Sequence, residues 1–217
     1  MKNIRVFMNK EGCVKYTSHL DMNRYMLRVL KRSKLPIWYT EGFNPHPYIT
    51  FALPLSLGFE SRYEVMDMKI AGDDLSNDAI KAALTAAMPV GLTVWAVAEP
   101  VLKPGKIAFA SFEIAFSDTD DTFAKTLEEF LNSDTITTEK KGKKGKISTV
   151  ELAGRFSDMT VILSENIVTL NITLPAGSSD NVNPLLYFSA ASERGIEIPQ
   201  YKITRTALLD ADKKLFV

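Results

Sequence analysis

The sequence predicts an α+β chain of two ferredoxin-like halves, each a β-α-β-β-α-β run with helices packed on one face of an antiparallel sheet. Three observations carry this prediction. Apolar residues alternate at Ile4, Val6 and Met8, and again at Ala110, Phe112, Ile114 and Phe116, which marks strands. Apolar residues at helical spacing mark four helices. Strands and helices then follow the same order twice. Pro100, Pro104 and Gly105 suit a linker between the rounds, so halves spanning 1–100 and 101–217 are expected.

In the first half, Ile4–Met8 reads as a strand, and Cys13–Tyr16 as its hairpin partner or continuation beyond a turn at Glu11-Gly12. Ser18-His19-Leu20-Asp21 reads as a capping box, with Ser18 at the N-cap and Asp21 at the third helical position. The helix should run to about Ser33 and stop before Pro36. Ile37–Tyr39 is a short apolar stretch, and Glu41–Pro47 is a turn segment. Ile49–Leu57 reads as buried and extended with Pro54 interrupting it, Tyr63–Ile70 as a strand, Leu75–Met88 as a helix that Pro89 ends, and Leu92–Val97 as a closing strand.

The second half repeats this order. Strand alternation at Ala110–Ser117 precedes a helix over about 121–132. Extended stretches near 135–139 and 146–152 flank a Lys/Gly loop. Met159–Leu163 and Ile167–Leu174 read as a hairpin around Ser164-Glu165-Asn166. A helix with Asn183 at the N-cap, Pro184 at N1 and Gly195 past its end leads to a last strand, Tyr201–Leu209.

Composition narrows the function. Apolar residues make up 46% and charged residues 24%, ordinary for a globular chain. No apolar run approaches the roughly 20 residues that span a bilayer, and the first residues lack a signal-peptide core. No membrane association and a cytoplasmic location are therefore expected. One cysteine, Cys13, excludes an internal disulfide and any multi-cysteine cluster, and it reads as a small apolar strand residue. Net charge is zero but uneven. Residues 1–50 carry nine Lys/Arg against three Asp/Glu, and residues 51–100 carry three against seven. A basic leading segment can mark an anionic partner.

Three segments could carry chemistry. On the 18–33 helix, Asp21, Arg24, Arg28, Lys31 and Arg32 fall within an arc of about 100°. That basic stripe can meet phosphates, or it is simply a solvated face. Glu41-Gly42-Phe43-Asn44-Pro45-His46-Pro47 holds one imidazole between two prolines. His46 there could move a proton, act as a ligand, contact a phosphate or base, or satisfy a backbone carbonyl. His19, the other histidine, sits at the first helical position, where anions are favoured. Both histidines could share a cleft as general acid and base, although no spacing matches a local metal-ligand motif. Lys140, Lys141, Lys143, Lys144 and Lys146 form the third segment, a clamp for a nucleic-acid backbone or a solvated tip. No metal or cofactor is expected.

Ser18-His19-Leu20-Asp21 with Arg24, the Gly42–Pro47 run, Leu53-Pro54-Leu55-Ser56-Leu57-Gly58, Tyr63-Glu64 and Arg205-Thr206-Ala207 together resemble the radical-SAM-linked family, a bacterial domain of unknown function. The match is densest over about residues 4–70. Ser56 stands where that pattern commonly has proline, and Tyr48 where many members carry a basic residue. The resemblance implies a separate radical-SAM and cobalamin-binding partner, because a chain with one cysteine cannot hold that cluster itself. It also implies RNA. The resulting expectation is a non-catalytic accessory that binds tRNA or rRNA for a modifying enzyme. Arg24, Arg28, Lys31 and Arg32 would hold phosphates, and His19, Phe43, Asn44 and His46 would meet a nucleotide, with Ser18, Asp21 and Glu41 beside them. The alternatives are a metal-independent endoribonuclease using His19 and His46, and a pure docking module for the radical-SAM protein.

Overall fold

The structure is a computed structural model that describes residues 1–72, 74–141 and 147–217, with only the backbone of Lys140 and Lys141. It is mixed α and β, with four α-helices among the described residues and mostly antiparallel strands. The chain divides into two compact units. Met1–Ile107, Arg205–Ala207 and Leu215–Val217 make the first; Ala108–Thr204 and Leu208–Lys214 make the second. The sequence places its break near residue 100 and assigns everything beyond to the second half. The last residues return to the first unit because Arg205 and Phe216 are buried there, as described below.

The first unit runs β1 (Lys2–Lys10), α1 (His19–Ser33), β2 (Ile49–Phe51), β3 (Glu60–Ile70), α2 (Asn77–Ala87) and β4 (Leu92–Ala98). β1 is central and antiparallel to both β3 and β4, and β2 pairs antiparallel with β3, so the order is β4-β1-β3-β2. The alternation read from the sequence has a physical meaning here. Ile4, Val6 and Met8 join Met22, Met26, Val29 and Leu30 of α1 and Ile80 and Leu84 of α2 in one apolar core. The α1 positions repeat at i, i+4, i+7 and i+8, which is one helical face. Ser76 caps α2 by accepting from the Ala79 N–H.

The opposite face of β1 and β3 is also closed within this unit. Phe7, Tyr63 and Trp95 rings pack together, with centroids 5.0–5.6 Å apart. Arg5 donates two 2.7 Å bonds to Asp67, its cross-strand neighbour, and a third to the Leu102 carbonyl. Its guanidinium lies 4.3 Å from the Phe216 ring, and the Tyr63 hydroxyl donates to the Phe216 carbonyl.

The second unit runs β5 (Phe109–Ser117), α3 (Asp121–Leu131), β6 (Thr137–Lys141), β7 (Ile147–Glu151), β8 (Asp158–Ser164), β9 (Ile167–Pro175), α4 (Leu185–Glu193) and β10 (Tyr201–Leu209), of which Arg205–Ala207 belong to the first unit. Its sheet order is β10-β5-β9-β8, and β6-β7 is a separate hairpin inserted after α3. Ala110, Phe112, Ile114 and Phe116 are buried as their alternation predicts. Asn183 does act at the head of α4, its side chain accepting from the Leu185 N–H.

Two local readings need correction. Gly12–Tyr16 is a 3-10 helix rather than a strand, because Gly12 turns the chain at φ +67° and Thr17 N–H closes onto the Val14 carbonyl. Cys13 is accordingly exposed, not a strand residue. The stretch expected to extend from Ile49 to Leu57 is a strand only to Phe51. Pro54 and Gly58, at φ +84°, break the ladder beyond it.

Candidate functional site

The family-like segments gather in the first unit, at two ends of α1. At its start, Ser18 is the N-cap: its hydroxyl oxygen accepts from the Asp21 N–H at 3.1 Å and donates to the Asp21 carboxylate at 2.7 Å. Arg24 holds the same carboxylate at 3.2 Å. The Ser18 bond is the chief reason the Asp21 carboxyl titrates below its usual range, with Arg24 adding to it. His19 is half-buried. Its ring meets Phe51 edge-on with centroids 5.6 Å apart, and the Asn23 amide lies 3.2 Å from its Nε2. The same amide donates to the His19 carbonyl. These contacts orient the imidazole without exposing it fully.

Beneath this end lies a buried polar set, of which the sequence marks Glu64 and Arg205 only as parts of the family resemblance and gives neither a site role. Arg205, 1% exposed, donates to Glu64 and to the carbonyls of Leu53 and Pro54. Lys10 donates to the Thr17 carbonyl, one residue before the α1 cap. Burial pushes the Lys10 amine below its ordinary range; Glu64 pulls it back up and Arg205 pushes it further down. Gly58 N–H reaches the Lys15 carbonyl, and Glu60 accepts from Gly12 N–H. The Leu53–Gly58 run, Tyr63-Glu64 and Arg205 are thus one frame around the start of α1. The available signal was a charged residue at an inward strand position: Glu64 opposes Met8 in the register, on the apolar face. The partner of such a charge cannot be read locally, since Glu64 and Arg205 lie 141 residues apart.

The second place is a hairpin leaving the far end of α1 through Leu35-Pro36. Ile37 bridges Ile70, and Tyr39 bridges Pro47. His46 is fixed by its neighbours. Its Nδ1 lies 3.0 Å from the Asn44 carbonyl and 3.2 Å from Thr40 Oγ1, while its backbone N–H donates to that same oxygen. With Nδ1 donating to the carbonyl, Nε2 is left as an acceptor on an exposed ring. Phe43 is wholly exposed at the tip, at 106% of its reference area, and Glu41 and Asn44 are exposed beside it. Trp38 and Tyr48 flank the ammonium of Lys69, which lies 5.1 and 4.6 Å from their ring centroids.

The two histidines stand on different elements: His19 meets Phe51 from the start of α1, and His46 lies on the hairpin before β2. Among the described residues no hydrogen bond or ring contact joins them. The basic stripe does form. Arg24, Arg28, Lys31 and Arg32 are all exposed on α1. Arg24 is held by Asp21 and Arg32 donates to the Ala87 carbonyl, whereas Arg28 and Lys31 carry no ion pair among the described residues. Lys143, Lys144 and Lys146 lie outside the described residues, as do the side chains of Lys140 and Lys141. Among the described residues no cluster of His, Cys, Asp or Glu is arranged to hold a metal ion, and no helix is long and apolar enough to cross a membrane.

No curated protein matches the chain. Among solved structures, a chain in the crystal structure of a Cbf5-Nop10-Gar1 complex superposes with a TM-score of 0.50 at 10% identity. The match covers 94% of the present chain and 48% of the other, so this chain spans about half of that one, and the likeness is one of fold. Residues 3–184 match the family described as "Uncharacterized protein conserved in bacteria (DUF2344)", and the chain belongs to that family.

Proposed function

We propose that this protein is a non-catalytic RNA-binding accessory that presents tRNA or rRNA to a separate radical-SAM modifying enzyme. The observation that carries the RNA part is the exposed cation stripe of α1, in which Arg28 and Lys31 are uncommitted among the described residues. Such side chains neutralise phosphates without having to leave another partner. The radical-SAM partner rests on the sequence resemblance at Ser18–Asp21, Gly42–Pro47 and Leu53–Gly58. Both units are read as ferredoxin-like, a reading supported by the order β4-β1-β3-β2 in one and β10-β5-β9-β8 in the other. Each imidazole has its own partners, Asn23 and Phe51 for His19 and Thr40 and Asn44 for His46, and no contact joins them among the described residues, so nothing favours a two-histidine RNA-cleaving centre.

Binding of the purified protein to total bacterial RNA across a salt series tests this reading. Affinity should fall steeply with salt, and Arg24→Ala/Arg28→Ala should weaken it and flatten the log–log slope by about 1.5. An absence of binding at low salt would sink it. A second reading, a docking surface for the radical-SAM protein alone, is favoured by Tyr16, Leu20 and Leu57, all at least 62% exposed around the start of α1. Under that reading, Leu20→Ser/Leu57→Ser abolishes co-purification with the enzyme while the arginine variants leave it intact.

A further inference from the structure

We propose that one face of the 37–48 hairpin is a stacking platform for unpaired nucleobases, with Lys69 supplying its phosphate contact. This rests on the RNA-binding reading and names the form of nucleic acid recognised. Register makes the first argument. Tyr39 opposes Pro47, so Trp38 opposes Tyr48 and Thr40 opposes His46. Side chains alternate between faces, which puts Trp38, Thr40, His46 and Tyr48 on the same side. The Thr40–His46 and Trp38–Tyr48 contacts agree with that register.

Chemistry makes the second. The Trp38 and Tyr48 rings stand 6.2 Å apart at 65° and are only half-buried, so they have π-surface open to solvent. Neither belongs to the unit's apolar core. Lys69 reaches in from β3 and rests against both rings. The ammonium covers part of the π-surface of this edge-to-face pair and is displaced at modest cost, since a solvent-accessible cation–π contact is weak. An incoming base has a π-face that can take the ammonium's place, and the displaced ammonium then meets the backbone phosphate. Phe43, wholly exposed at the tip of the same hairpin, offers a further ring, and His46, with Nδ1 on the Asn44 carbonyl, offers Nε2. Aromatic stacking of this kind accepts any unpaired base and cannot engage bases already stacked in a duplex. Unpaired bases come from RNA or from single-stranded DNA, so the test carries both.

The full chain with Trp95→Phe leaves Trp38 as the only tryptophan of two. It would be titrated with a ten-nucleotide oligo(U), the matching oligo(dT) and a blunt RNA duplex, following tryptophan emission. Single strands should quench Trp38 to saturation and the duplex should not. Tyr48→Ala should weaken single-strand binding about tenfold. Phe43→Ala, at a site too exposed to disturb folding, should weaken it in the same sense. Arg24→Ala/Arg28→Ala should lower affinity and keep the full quench. Tighter binding of oligo(U) assigns the platform to RNA, and equal binding assigns it to unpaired bases of either kind. RNA binding with unchanged Trp38 emission, or equal quenching by the duplex, overturns the platform and leaves the RNA reading standing. Failure of every nucleic acid to bind overturns both.

Discussion

In the first unit the folded chain buries Arg5, Lys10, Glu64 and Arg205; in the second, the buried polar residues among those described are Thr119, Thr138, Thr173 and Thr204. The strand orders correspond, so the contrast does not come from topology. A threonine hydroxyl is uncharged and needs no counter-charge: Thr119, for example, donates to the Phe116 carbonyl and accepts from Val168 N–H. A buried charge is costly unless a partner of opposite sign is held in place. The first unit accepts that cost twice, with Arg5 on Asp67 on one face of β1 and with Arg205 on Glu64 near the start of α1. The second spends its interior on aromatic packing, with Phe116 against Phe123 and Phe188. The difference teaches that two units of like strand order can satisfy their interiors by different means, one with paired charges and the other with hydroxyls and rings.

The sharpest way to break this comparison is Glu64→Gln. It leaves the Arg205 charge uncompensated and should cost about 3–5 kcal/mol in urea unfolding. Thr173→Val, which removes the 2.8 Å contact with Ser111, should cost about 1 kcal/mol. Equal losses would show that the charged interior carries no special weight. Next comes a pair of left-handed glycines. A Cβ on Gly91 would meet the Glu11 carbonyl oxygen at 2.6 Å and Val14 at 2.8 Å, whereas one on Gly154 meets nothing within 4 Å. Gly91→Ala should therefore cost more than the roughly 1–2 kcal/mol of backbone strain expected at Gly154. A thermal melt showing the reverse order would place the Gly12–Tyr16 turn outside the cooperative unit. Smaller still, Ser18→Ala and Asp120→Ala each remove a helix cap and should cost about 1 kcal/mol, measurable by denaturant midpoint.

The smallest effects are alkaline and of opposite sign. Lys10 loses its proton more readily folded than unfolded, so the unfolded state binds more protons below about pH 10.5 and stability rises with pH through that window. Tyr187, buried with its hydroxyl on the Leu152 carbonyl, is pushed up to about 12 by desolvation. Its contribution is whole below about pH 10 and is lost as pH rises toward 12. Urea midpoints measured from roughly pH 8.5 to 11.5 should show Lys10→Met removing the rise and Tyr187→Phe flattening the fall. Parallel curves for both variants and the wild type would contradict these assignments.

The element order and the inward faces of β1, α1 and β5 were legible in the sequence, because a 2-residue or 3.6-residue period is local information. So was the cap at Ser18, which needs only Asp21 three residues on. The cation stripe of α1 followed from the helical wheel alone. The Gly12–Tyr16 turn was misread because its short apolar run has no period long enough to tell a strand from a tight helix. Partners across the chain needed the fold. Arg205 meets Glu64 because β10 brings it there, and Arg5 meets Phe216 because the last residues pack over β1. The Lys69 cation between Trp38 and Tyr48 joins a strand to a hairpin through register. The partners of each histidine also needed the fold: His19 packs on Phe51 of β2, and His46 is fixed by Thr40 across the hairpin.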